Sequence, residues 1–392
     1  MKCIYCDHDS KYTERRDRNG QCPTCGKRFA FEPRDGARIT DLGFKRAIDA
    51  VSANGHVSWG VEHLYYEVGR RIRRARRWKS RLPWVALALD ALLIAIAATN
   101  SRWGWVIVLA LVGIGTSRWA LGASRKTMPL SLDAFTKMWA TWTRVHSDRT
   151  KGLIVRKEPL PRPRPVEGDI ALYSFDRAVI CDRARTVDLL LANNFHFENN
   201  CAVLSIDGYP PGPFDTVRAM LKRNPRLQVF ALHDATEAGC RMAYRLAAEA
   251  EWFKGQATVV DVGLRPVHAP AFAGLLLEPS GGRVEPGRGI RGDEAQWLSH
   301  HVVEVAAIRP EQVLKRLYRA INRRTSDGGV DGGGLGASAS GQPGETSADA
   351  PAAHEGEFGG AGASGGWESA VVDSESFGGD AGDGDGDGDG SG

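Results

Sequence analysis

Four cysteines at the start of the chain have the types and the spacing to do metal chemistry. Cys3-Ile-Tyr-Cys6 and Cys22-Pro-Thr-Cys25 form two Cys-x2-Cys pairs separated by fifteen residues, the spacing that lets four thiolates close a tetrahedral cage around zinc. Four thiolates fill the coordination sphere, so such a site is structural rather than catalytic, and the metal supplies folding energy that so short a module lacks. Gly26, directly after the second pair, permits a tight turn that points backbone amides at the sulfurs. The remaining cysteines, Cys181, Cys201 and Cys240, lie in apolar settings and form no disulfide framework in a reducing compartment. A second set of chemistry-bearing residues is acidic. Asp182, Asp207 and Asp234 each follow a short apolar run, and clustered carboxylates are what a magnesium ion needs for phosphodiester chemistry. His233, beside Asp234, has the type for acid–base work but reads first as a polar residue that closes a strand and bonds nearby backbone.

These carboxylates need a sheet to bring them together. Strands are predicted at Ala178–Cys181, Ala202–Ile206, Gln228–Leu232 and Ala257–Val262, with helices at Thr186–Asn193, Pro213–Arg223 and Ala238–Trp252. Such alternation predicts a mostly parallel, Rossmann-like sheet with helices on its faces. Ligands and metals bind such sheets in the crevice beyond the strands' carboxyl ends. A further strand is predicted at Val302–Ala307, then a helix from Pro310 to about Asn322 with Val313, Leu314, Leu317 and Ile321 as its buried stripe.

On the paired Cys-x2-Cys motifs, residues 1–32 resemble the zinc ribbon family. Lys2, Lys11, Arg15, Arg16, Arg18, Lys27 and Arg28 make this segment basic, which suits nucleic acid or anionic lipid. Residues 175–263 resemble the toprim family, the catalytic module of topoisomerases, primases and some nucleases. The resemblance rests on Ile180-Cys181-Asp182 and on Leu232-His233-Asp234-Ala235-Thr236-Glu237-Ala238-Gly239. It implies a magnesium site at Asp182 and Asp234, with Asp207 or Glu237 as a third ligand. Two departures stand out: Asp182 replaces the family's glutamate, and Thr236 occupies the place of its second aspartate.

Between these segments lie two apolar stretches, Leu82–Thr99 and Trp103–Ser117, the first interrupted only by Asp90. Their lengths approach the ~30 Å of a bilayer core and predict a transmembrane helical hairpin. Arg70, Arg71, Arg73, Arg74, Arg76, Arg77, Lys79 and Arg81 precede it, and Arg118, Arg125 and Lys126 follow. By the positive-inside rule this predicts a multi-pass protein of the inner membrane with both termini cytoplasmic, touching anionic headgroups. Thr40-Asp41 predicts a helix N-cap, with Phe44, Ala47, Ile48 and Val51 following at helical spacing. Leu132, Phe135, Met138, Trp139, Trp142 and Val145 mark a second amphipathic face, ahead of the proline-rich spacer Glu158–Pro165.

The net charge of +4 conceals an asymmetry. From Ser326 onward there are fourteen Asp and Glu and no Lys or Arg, so residues 1–325 carry +18 against −14. That glycine-rich tail is too polar to fold and is expected to be disordered. The organisation expected is therefore a zinc ribbon at 1–32, a basic helical juxtamembrane segment at 38–81 and a transmembrane hairpin at 82–122. An amphipathic helix and Pro-rich linker follow at 130–166, then a toprim-like α/β domain at 167–325 and an acidic tail at 326–392. The function this predicts is a membrane-anchored binding, scaffold or regulatory module for a protein or nucleic-acid partner, with structural zinc. The alternative is a magnesium-dependent nuclease or related phosphoryl-transfer enzyme.

Overall fold

The computed structural model describes residues 1–75, 113, 127–155, 175–224, 226–253, 255 and 257–327. Helix α1 (Tyr12–Asp17) lies between the two cysteine pairs. Helix α2 (Asp41–Val51) starts where Thr40 accepts a hydrogen bond from the Gly43 amide, and it buries Phe44, Ala47, Ile48 and Val51 at helical spacing. Helix α3 covers residues 61–75, and α4 (Leu132–Val145) is capped by Ser131 and buries Phe135 and Trp142.

The second half is a four-stranded sheet in the order β2-β1-β3-β4, parallel at every pairing. Its elements are β1 (Arg177–Cys181), α5 (Ala184–Ala192), α6 (Phe195–Glu198), β2 (Cys201–Ser205), α7 (Phe214–Arg223), β3 (Gln228–Leu232), α8 (Glu237–Ala248) and β4 (Thr258–Asp261); α9 (Gly292–Leu298) and α10 (Pro310–Asp327) follow. Strand periodicity divides the central residues between two faces. Val179, Cys181, Val203, Phe230 and Leu232 face one core with Val187, Leu190, Val313 and Leu317. Ala178, Ile180, Leu204, Val229 and Ala231 face another with Leu221, Met242, Leu246 and Trp252. Coverage on both faces is why these strands read as nearly continuous apolar runs.

The first core does not stop at the sheet. It runs from Ile4 and Phe31 through Phe44, Trp59, Tyr66 and Trp142 to Ile321. The amphipathic face of α4 is thus packed on protein: the Phe44 and Trp142 rings lie 4.7 Å apart, and Tyr65 and Phe135 5.3 Å apart.

Three expectations are corrected. The fold class with a transmembrane hairpin gives way to a parallel α/β sheet with helices and an N-terminal cysteine cluster, because among the described residues no helix is long and apolar enough to cross a membrane. Leu82–Thr99 and, apart from Gly113, Trp103–Ser117 lie outside the described residues. The inner-membrane localisation falls with the fold class, and part of the arginine run has another use. Arg70 bonds Glu67 and the Ala307 carbonyl, Arg71 pairs with Glu67, and Arg309 closes on the same buried carboxylate. The strand expected at Val302–Ala307 is instead a pair of isolated bridges, Leu277 to Val302 and Ala235 to Val303, followed by a 3-10 turn at Val305–Ala307. Its ladder ends because the Val305 amide donates to the Asp234 carboxylate rather than to a strand.

Candidate metal centre and sheet-end carboxylates

The ligand atoms of Cys3, Cys6, Cys22 and Cys25 all lie within 4.8 Å of one another, with Cys3 to Cys25 and Cys6 to Cys22 both at 3.6 Å. Tetrahedral thiolates at ~2.3 Å from zinc stand ~3.8 Å apart, whereas a disulfide needs ~2.05 Å. The donor set and its edges fit a zinc-sized ion, and four soft sulfurs leave no open position for chemistry.

Both cysteine pairs sit on the same backbone device. Cys3 and Cys22 donate their amides to the carbonyls of His8 and Lys27, while Asp7 and Gly26 donate back to the carbonyls of Cys3 and Cys22. Asp7 at φ 56° and Gly26 at φ 70° are both left-handed. Gly26 was legible as a turn residue; its counterpart Asp7 was missed, although aspartate is among the few side chains that tolerate this region. The turns aim amides at sulfur. Burial pushes the Cys3 thiol up to about 12 against the amides of Tyr5 and Cys6. Burial also opposes the Cys22 thiolate, but the amides of Cys25 and Thr24, then Cys6 and Cys25 themselves, bring it down to about 6.

Of the two residues between the first pair, Tyr5 ties this loop to the helical body. Tyr5 donates its hydroxyl to Asp148 at 3.0 Å and lies 3.1 Å from Nδ1 of His146. His146 Nε2 is 2.8 Å from Asp41 Oδ2, and Asp41 accepts the amides of Ala30 and Phe31 at 2.9 and 2.8 Å. The sequence marks Asp41 as part of a helix start but not as a tertiary acceptor, and His146 does not stand out in it, because a lone histidine is commonplace.

At the carboxyl end of the sheet, the structure brings two of the three candidate aspartates together. Asp182 follows β1 and Asp234 follows β3, neighbours at the point where the strand order reverses. The Asp234 amide donates to Asp182 Oδ2 at 2.8 Å. Asp207, beyond β2, is exposed; its amide turns back to Ser205 Oγ at 3.0 Å. Among the described residues the four cysteines are the one group of three or more such side chains close enough to hold a metal, and Asp182, Asp207 and Asp234 do not form one. Glu237 also points elsewhere, pairing with Arg241 at 2.9 Å.

Asp234, 1% exposed, spends both oxygens internally. Oδ1 accepts the Val305 amide at 2.6 Å and Oδ2 accepts Arg183 Nε at 3.1 Å, with Arg185 at 3.7 Å. Arg185 is itself held by Glu304 at 2.6 Å, and Glu304 accepts the Tyr66 hydroxyl at 3.0 Å. Burial, then the charges of Asp182 and Glu304, push Asp234 up to about 7 against the Val305 amide and Arg185. Burial raises Asp182 as well, against the Asp234 amide; its Oδ1 is buried without a hydrogen-bond partner.

His233 is fully buried. Nδ1 meets the Asp234 carbonyl at 2.9 Å and Nε2 meets Asp261 Oδ1 at 3.0 Å. A carbonyl only accepts, and Asp261 already accepts from the Gly263 amide and Arg265 Nε, so this setting favours a ring that donates from both nitrogens, the charged form. Burial works against that charge, but the Asp261 carboxylate outweighs it and raises the His233 pKa. Burial likewise opposes the Asp261 charge, and His233 with Arg265 nonetheless holds that carboxylate well below its ordinary range. The histidine is a packed ion-pair partner without access to substrate. Thr236, standing where the toprim pattern has an aspartate, caps α8 by accepting the Gly239 amide at 3.0 Å.

A groove of about 590 Å³ runs between the cysteine module and α4, lined by Tyr12, Arg16, Arg28, Phe29, Lys137 and Met138 among others. The one carboxylate among its described lining residues, Glu32, is neutralised by the buried Arg15 through bonds of 2.9 and 3.2 Å. Arg34 lies over the Tyr12 ring at 5.0 Å and Arg15 over Phe29 at 5.7 Å. The sequence showed the basic residues, but not that α4 supplies the opposite wall.

No family model, curated protein or solved structure matches this chain.

Proposed function

We propose that this protein is a zinc-stabilised binding module whose ribbon-like N-terminal segment recruits a nucleic-acid strand, with the toprim-like sheet serving as scaffold rather than catalyst. The observation that carries the reading is the groove between α1 and α4. Arg16, Arg28 and Lys137 present positive charge along it, and Tyr12 and Phe29 are half-buried rings at its surface. A basic track with aromatic platforms is how proteins hold single strands without reading sequence. Zinc, when bound, orders the two cysteine turns and so fixes one wall of the groove; Tyr5, His146 and Asp41 set that wall against α4.

The enzymatic alternative, magnesium-dependent phosphodiester cleavage, draws on the juxtaposition of Asp182 and Asp234. Against it stand the Val305 amide and the two arginines on Asp234, which take the lone pairs a metal would use. Binding of a labelled single-stranded oligonucleotide to the full chain, followed by fluorescence anisotropy at low salt, tests the proposal. Arg28→Glu with Lys137→Glu weakens binding at least about tenfold and flattens its salt dependence. Affinity indifferent to both reversals would refute it.

A further inference from the structure

We propose that the acidic C-terminal segment of this chain, residues 328–392, is itself a ligand of the groove between α1 and α4 and competes there with nucleic acid. The inference rests on the reading of that groove as an anion-binding surface and names its resident competitor. Charge makes the first argument. The segment after Asp327 holds thirteen carboxylates and no lysine or arginine, while the rest of the chain is strongly positive. Within the groove, Arg28 and Lys137 form no ion pair among the described residues, and Arg16 meets only the exposed Asp17 at 3.7 Å. These cations lack strong internal partners.

The pattern of the segment makes the second. Gly382–Gly390 alternates Gly and Asp, which in an extended chain sets successive carboxylates ~7 Å apart, a ladder of negative charge resembling a nucleic-acid backbone. Phe358, Trp367 and Phe377 each lie within two residues of a glutamate, matching a groove that mixes cations with Tyr12, Phe29 and Met138. Reach makes the third, since sixty-five residues follow the end of α10 at Asp327, with a contour of roughly 200 Å. The other arginine-rich surface fits less well. Arg283, Arg288 and Arg291 are interspersed with Glu278, Glu285 and Asp293, and Arg291 is paired to Asp293 at 3.4 Å.

The test couples carboxylates to amines with a zero-length carbodiimide in the full chain at low salt, mapping the links by mass spectrometry on mixed isotope-labelled and unlabelled protein. Intramolecular links from Lys137 to acids of 328–392 are expected, and they are lost when Arg16→Glu and Arg28→Glu reverse the groove. In parallel, Asp383→Asn, Asp385→Asn, Asp387→Asn and Asp389→Asn together tighten oligonucleotide binding at least about threefold at low salt, a gain that vanishes above ~0.5 M salt. Tail links spread over Lys2, Lys45, Lys151 and Lys222 without preference for Lys137 would overturn the proposal, as would links joining labelled to unlabelled chains. Lys137 links without any oligonucleotide binding sink the nucleic-acid reading and leave tail docking standing. Oligonucleotide binding unchanged by the four substitutions, with Lys137 unlinked, does the reverse.

Discussion

His146 and Asp41 meet at 2.8 Å with both side chains out of solvent, although 105 residues separate them. Asp41 also accepts two amides of the chain leaving the cysteine module, while the other face of His146 meets Tyr5 between the first cysteine pair. One buried pair therefore joins both ends of that module to α2 and α4.

Removing the carboxylate leaves one buried and one part-buried amide, and the His146 ring, without their partner. Asp41→Ala is expected to lower stability by about 3 kcal/mol, whereas Tyr5→Phe, which deletes one hydroxyl at the edge, costs about 1 kcal/mol. Urea melts of the two variants check this, and equal losses would mean that the pair does not organise the contact.

The cysteine cluster predicts one zinc per chain by elemental analysis. Cys22→Ser abolishes it, and a chelator unfolds the N-terminal turns, exposing the amides of Cys3, Cys22 and Phe29 to hydrogen exchange while the sheet amides stay protected. Zinc retained in the Cys22→Ser protein would show that the metal sits elsewhere.

Asp182 gives a prediction whose sign separates structure from catalysis. Both Asp182 and Asp234 are raised from the ordinary 3.8, Asp234 to about 7, facing Glu304, Arg183 and Arg185. The folded state thus binds more protons than the unfolded one between pH 4 and 7, and this contribution to stability is lost as pH rises through that window. Raised His233 acts in the same direction above 6.5. Asp182→Asn keeps an acceptor for the Asp234 amide while removing a buried charge, so it stabilises by about 1 kcal/mol at pH 8 and is neutral near pH 4. Denaturation at the two pH values decides; a loss at pH 8 contradicts the assignment.

Gly263 lies against the His233 ring. A Cβ there would collide with the His233 ring, which is pinned at both nitrogens. Gly263→Ala should cost about 2–3 kcal/mol, more than the same change at Gly281, whose surroundings are open. Thermal melts of the two variants make the comparison.

The binding reading also predicts no magnesium-dependent cleavage of labelled single- or double-stranded oligonucleotides by the full chain. Cleavage that disappears in Asp234→Ala would restore the enzymatic alternative.

Some of this architecture was written in short stretches of chain. The Cys-x2-Cys spacing, the Thr40 cap, the alternation of apolar runs with helical periods and the acids at strand ends all depend on residues within one or two turns of each other. Their outcome is set by backbone geometry and local hydrogen bonds. The long-range choices were not legible in the same way. Strand order decided that Asp182 would meet Asp234 and not Asp207. The packing of Val305 on Asp234 ended an apparent strand. Arg70 and Arg71 looked like one uniform basic run until Glu67 and Arg309 enclosed them. Side-chain type and spacing thus determined which groups were available for metal, charge and capping. Their partners were decided by tertiary structure alone, because Coulombic and hydrogen-bond energies depend on distance and burial in space, and neither quantity is carried by position along the chain.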